Sequence, residues 1–297
     1  MRRTLLDWFV ATMPVRGSRI GDKLLGVMEA YLDESGISDI GPVCVVGGYV
    51  GGYRQFRRLE AEWKEIVSCL PNGDFHAIDF FNRGPNGERY GVYEGWTDQL
   101  ANDFFEALAS AIDESGVHPV GAAADVKKFF EYDIDTRIYL TGGRHNVAKW
   151  KTSGSPHQPY YLPFQHCLTK GITYVQEGIR LNFICDVNKE LSRYAKDLFE
   201  DYKKVNPRMY ERFGMISYAS RLDANIIQAA DLLGISPFTV KCWRERGQLR
   251  PVKEDVKPLL FREVDVLECH RARMTKAMHD HLDTLWALVL ADVSLSA

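Results

Sequence analysis

What this chain lacks removes several classes of protein. Its six cysteines (Cys44, Cys69, Cys167, Cys185, Cys242 and Cys269) form no CxxC and no Cys-His pair at zinc-finger spacing. They read as reduced core cysteines rather than a disulfide framework. No apolar run approaches the roughly 18 residues that a membrane span needs, so no membrane partner is expected. Positive charge is not in excess either: 37 Lys and Arg face 40 Asp and Glu, a net charge of −3. No global basic field marks the chain for nucleic acid, although acids gathered at a metal site would hide a basic groove in that total. There is no internal repeat. The stretch from Met1 to Ala11 starts like a signal peptide, but Asp7 interrupts it and no clear small-residue cleavage site follows. A short amphipathic helix in a cytoplasmic protein is the expectation.

What is present suffices for a sizeable core: 297 residues, 45% hydrophobic and 26% charged, ordinary for a globular protein. Gly26 to Leu32 reads as a strand, and Val43 to Val50, after the turn at Ile40-Gly-Pro42, as its hairpin partner. Helical spacing runs from Tyr53 to Leu70 and from Trp96 to Ile112, with Phe75 to Ile78 a short extended piece between them. Val117 to Ala124 and Leu181 to Asp186 read as strands, Met215 to Tyr218 as a short one. Helices are expected at Tyr160 to Glu177, Lys189 to Tyr202, from Ala224 onward and from Val266 to Leu290. A hairpin first and then strands alternating with helices predict an α/β layer with a mixed sheet. The expected organisation is a helical extension at 1–26, a domain at 27–247 with an insertion at about 126–160, and a helical extension at 248–297.

Four acids stand where elements end. Asp33 opens Asp33-Glu34-Ser35-Gly36 at the close of the first strand, Asp79 follows His76-Ala-Ile, Asp186 closes Leu181 to Cys185, and Asp231 lies in Gln228-Ala-Ala-Asp231. Asp is a poor helix-interior residue, and a carboxylate among Ala229, Ala230, Leu232 and Leu233 would be costly without a cation. Strand alternation puts Glu34 opposite Asp33 unless the chain has already turned. The joint reading is one cation site of Asp33, Asp79, Asp186 and Asp231, with Glu34 as a possible fifth ligand. Ser35 and Gln228 would support it by hydrogen bonding, and His76 would orient a ligand or shuttle a proton. An all-oxygen donor set suits Mg²⁺ or Mn²⁺ better than zinc. Two such ions about 4 Å apart would activate water against a phosphodiester. Each acid alone is as well explained as a cap or an ion-pair partner.

From Thr136 to Gln176 there is no Asp or Glu, while Arg137, Arg144, Lys149, Lys151 and Lys170 are interleaved with Tyr139, Trp150, Tyr160, Tyr161 and Phe164. Cations beside stacking rings suit a nucleic-acid groove, with Arg144, Lys149, Trp150 and Lys151 as candidate substrate contacts. The competing reading is an irregular insertion whose aromatics pack on the core.

The motifs Tyr31-Leu-Asp33-Glu34-Ser35-Gly36, His76-Ala-Ile-Asp79, the strand-end Asp186 and Gln228-Ala-Ala-Asp231-Leu232 resemble those of the bacterial and phage family catalogued as domain of unknown function 3800. The resemblance spans about residues 27 to 240. It implies a ribonuclease H-like fold, a divalent-metal site and nuclease activity leaving a 3′-hydroxyl and a 5′-phosphate. The chain departs where many members carry Asp-Ser before the last motif: Ser220-Arg221 stand there, with Asp223 close by. A rival reading takes about 224–247 as a DNA-binding helix-turn-helix, with Ala230, Gly234 and Val240 as its small, turn and core residues and Ser236-Pro237 opening its second helix. Trp243 to Gly247 resembles the stretch after the recognition helix in excisionase-like and MerR-like regulators. Asp231 separates the two, being a surface acid in a regulator and facing Asp33 in a nuclease. A third reading is an inert nucleic-acid-binding module of a defence or mobile-element operon.

Overall fold

The computed structural model describes residues 27–36, 43–144 and 149–233. Their core is a five-stranded mixed sheet between two helical layers. Strand β1 (Val27–Ser35) pairs antiparallel with β2 (Val43–Gly52), Asp33 lying opposite Gly47. Gly48 lies so close to the Tyr31 carbonyl that a Cβ has no room there, and the two backbones meet at that point. Helix α1 (Tyr53–Val67) follows directly, burying Phe56, Leu59, Glu60, Trp63 and Val67, one stripe at helical spacing. A short helix α2 (Ala77–Phe81) comes next; the expected extended piece at Phe75 to Ile78 is helical from Ala77. Helix α3 (Asp98–Ser115) starts on Thr97, whose hydroxyl accepts the Leu100 N–H at 3.1 Å, and ends on Gly116 at φ 71°.

Strand β3 (His118–Asp125) adds antiparallel to the far side of β2. Two short helices absent from the sequence reading follow: α4 (Val126–Glu131) and α5 (Ile134–Leu140), each capped by an aspartate, Asp125 and Asp133. Helix α6 (Tyr161–Gly171) leads to β4 (Arg180–Asp186), which pairs parallel with β1, Leu32 against Cys185. Helix α7 (Ser192–Val205), the short α8 (Pro207–Arg212) and β5 (Phe213–Ala219) complete the sheet, β5 parallel to β4. Helix α9 (Asn225–Leu233) returns across β1 and β2. The strand order is β3-β2-β1-β4-β5.

Alternation along β1 and β4 divides the core. Tyr31 and Ile184 face α1, α3 and α9, whereas Leu32, Leu181, Phe183 and Cys185 face α6 and α7. Because β4 is covered on both faces, Leu181 to Cys185 is continuously buried. Cys44, Cys167 and Cys185 are buried and free, as expected; Cys69, also free, is exposed on the turn after α1 and so is not the core cysteine the sequence suggests. Among the described residues no helix is long and apolar enough to cross a membrane. Both terminal extensions, and the helix-turn-helix stretch beyond Leu233, lie outside the described residues.

Candidate functional site

β1 and β4 run parallel side by side, while β1 has an antiparallel neighbour on its other edge. The chain leaves β1 toward β2 on one side and β4 toward β5 on the other, and ligands of open α/β sheets bind outside the carboxyl ends of strands at such a reversal of strand order. Asp33 and Asp186 each lie one residue beyond the Leu32–Cys185 pair, at those ends and on the same face. Helix α9 lies on that face and supplies Asp231. Three acids remote in sequence thus occupy one corner. Asp33 accepts the Glu34 N–H at 2.8 Å. Burial first, then the charges of Asp231, Glu34 and Asp186, hold the Asp33 carboxyl well above the usual carboxylate range.

Glu34 joins this corner from the other side of the strand, at its tip. Its Oε1 accepts Asn188 Nδ2 at 3.1 Å. Burial, together with the charges of Asp186 and Asp231, pushes its carboxyl up to about 7 against that hydrogen bond. Asp186 and Asp231 are also raised, chiefly by burial; Arg221 and His76 act on both in the opposite direction. Asp231 Oδ2 accepts the Ala77 N–H at 2.8 Å, which ties α9 to the first turn of α2.

Asp79 does not join the other three. The first turn of α2 turns it outward, 55% exposed, where its Oδ2 lies 3.0 Å from His76 Nδ1. His76 Nε2 lies 4.0 Å from Asp231 Oδ2. The histidine therefore stands between an outer and an inner carboxylate, and the set that converges is Asp33, Glu34, Asp186 and Asp231. Among the described residues, no group of three or more His, Cys, Asp and Glu side chains is already in a geometry that could hold a metal ion.

The residues expected to support the acids divide. Ser35 makes no hydrogen bond to Asp33; the Glu34 N–H does. Gln228 is fully buried and, among the described residues, makes no hydrogen bond to an acid side chain. Its Oε1 accepts Trp63 Nε1 and the Phe75 N–H, each at 3.1 Å, and its Nε2 donates to the carbonyls of Gly73 and Arg221, also at 3.1 Å. It fixes the chain that carries His76 on one side and Arg221 on the other. Asn188, Asp74 and Arg221 were missed in the sequence, where only the Ser220-Arg221 departure pointed to this place.

The basic-aromatic segment resolves into two parts. Tyr160, Tyr161 and Phe164 are buried between α6 and the sheet, as the insertion reading has it. Trp150 donates Nε1 to the Gly142 carbonyl at 2.6 Å and packs edge-on against Tyr202. The Arg144 guanidinium lies 4.0 Å from the Tyr139 ring centre and 5.6 Å from that of Trp150, and donates to the Tyr139 and Gly143 carbonyls. Lys149 and Lys151 are exposed beside them. The backbone N–H groups of Lys151 and Thr152 both donate to buried Asp201, at 2.8 and 2.7 Å. Of the rings, Tyr139 stays 59% exposed. No family model matches this chain, and no curated protein matches it.

Proposed function

We propose that this is a divalent-metal-dependent nuclease of ribonuclease H-like fold, related to the domain of unknown function 3800 family. The observation that carries the proposal is the gathering of Asp33, Glu34, Asp186 and Asp231 at the carboxyl ends of two adjacent parallel strands. The strand order, an antiparallel meander extended by two parallel strands, supports the fold. The donor set fits Mg²⁺ or Mn²⁺ in its chemistry, being hard oxygens that burial and mutual repulsion hold in a state a cation would relieve.

In this reading the four acids hold the ion, Asn188 orients Glu34, and the Ala77 N–H orients Asp231. When bound, the cation supplies positive charge that acidifies water and neutralises charge developing on a phosphodiester. His76, aligned through Nδ1 by Asp79, is placed to carry a proton on Nε2 beside Asp231. Lys149, Lys151 and the Arg144–Tyr139 pair offer cations and an exposed ring to a polynucleotide. The location of Asp231 beside Asp33 and Asp186 favours this reading over a regulator, in which it would be a surface acid.

The test is incubation with labelled single-stranded, duplex and hybrid oligonucleotides in Mg²⁺, Mn²⁺ or chelator. Cleavage that needs the divalent ion and disappears in a folded Asp33→Asn variant is expected. Wild-type-like cleavage by that variant would remove Asp33 from the mechanism. A footprint on a specific duplex that survives Asp33→Asn would favour the regulator instead.

A further inference from the structure

Arg221 belongs to none of the motifs, yet three contacts determine where it stands. Its Nη2 donates to Asp74 Oδ2 at 3.3 Å, and its Nε lies 3.0 Å from Asp74 Oδ1 as an ion pair without a second aligned hydrogen bond. Its carbonyl accepts Gln228 Nε2 at 3.1 Å. Gln228 lies about one helical turn before Asp231 on α9, and Asp74 two residues before His76. From the sheet side, β5 ends at Ala219, the register partner of Asp186, so Arg221 emerges two residues beyond that pair. The guanidinium thus sits between the acid corner and the His76 loop, and its positive charge acts on both Asp186 and Asp231. Its side chain is 34% exposed.

A plain structural ion pair explains only part of this arrangement. A guanidinium carries five N–H donors, and Asp74 faces the Nε–Nη2 edge alone, with one hydrogen bond from Nη2. Among the described residues Nη1 takes no hydrogen bond. Four acids in one corner repel any polyanion; a bound cation offsets part of that repulsion, and fixed positive charge beside the corner offsets more. An arginine clamped on one edge is pre-organised to offer the other edge to two phosphate oxygens, which a lysine cannot match.

We propose that Arg221, held side-on by Asp74, is a phosphate-binding residue of this site, its Nη1 edge receiving a non-bridging phosphate oxygen of a polynucleotide strand. The inference rests on reading the carboxylates as a phosphodiester-cleaving site. Within that reading, Asp74 and Gln228 are positioning residues that set the guanidinium without touching substrate.

The test is fluorescence anisotropy of a labelled oligonucleotide bound to the full chain in Ca²⁺, over a salt series. Wild type is compared with Arg221→Ala, Arg221→Lys and Asp74→Asn, each checked by thermal unfolding. Arg221→Ala should weaken binding about tenfold and flatten the salt slope by about 0.7 to 0.9. Arg221→Lys should restore the slope but only part of the affinity, with Asp74→Asn between wild type and Arg221→Ala. Mn²⁺ binding by the Arg221 variants should remain. Wild-type affinity and slope in both Arg221 variants would overturn the inference while leaving the nuclease reading intact. So would losses of binding that only track losses in melting temperature across the three variants. Failure of wild type to bind any oligonucleotide would overturn the reading and the inference together.

Discussion

Glu29 is fully buried on β1, four residues before Asp33 and on the same face. Its Oε2 accepts the Tyr31 hydroxyl at 3.2 Å, while Oε1 has no hydrogen-bond partner among the described residues. Burial, with a smaller push from Glu60, raises its carboxyl to about 7 despite the Tyr31 bond. A carboxyl raised in the folded state favours folding below its unfolded value of 4.5, and that advantage is lost as pH rises through about 7. Glu29→Gln should therefore lie within about 1 kcal/mol of wild type at pH 5 and exceed its stability at pH 8 by up to about 3 kcal/mol, taking about 1.4 kcal/mol per pKa unit. Urea unfolding at the two pH values measures this, and an unchanged pH dependence would show that Glu29 is relieved in some other way. At this scale the sequence was informative where an acid was out of place. Asp33, Asp186 and Asp231 interrupt or end apolar stretches, and all three reach the same corner. The sequence groups Asp79 with them because spacing gives proximity but not direction. Once α2 begins at Ala77, the backbone N–H meets Asp231 and the Asp79 side chain points back to His76. Arg221 and Asp74, 147 residues apart, pair through tertiary structure alone and left no local pattern.

Elements with a strong period were legible. The β1–β2 pairing, the α1 stripe and the buried β4 run lie within a few residues of their expected limits. The short helices α4, α5 and α8 were not, since six or seven residues carry too few repeats of the helical period to register. The basic-aromatic segment reads either as a charged groove or as an insertion packed on the core, and three of its five named aromatics, Tyr160, Tyr161 and Phe164, answer to the core. What holds it is Asp201 on α7, only 1% exposed, accepting two backbone N–H groups with Lys204 3.6 Å away. Asp201→Ala strands those N–H groups and should cost about 1 to 3 kcal/mol. It should also release the stretch carrying Lys149, Trp150 and Lys151, seen as faster amide exchange at 149–155. Exchange as slow as in wild type would mean that Trp150 and its packing against Tyr202 suffice.

At the scale of the whole molecule, sheet topology turns scattered acids into a site. The mixed order β3-β2-β1-β4-β5 puts two strand ends, each carrying an Asp at or near its close, next to one another. Helix α9 and the α2 turn then lie over that edge, joined by the Ala77–Asp231 and Gln228 hydrogen bonds. Sequence order alone could foresee an α/β layer; it could not foresee which edges meet, because parallel pairing of β1 with β4 joins residues about 150 positions apart. The measurement closest to the central proposal is calorimetric titration of Mn²⁺ into the full chain at pH 7.5, for wild type, Asp33→Asn and Asp231→Asn. Shared coordination predicts saturable binding by wild type that is lost or weakened at least tenfold in each folded variant. Equal binding by all three proteins, or no binding by wild type, would contradict it.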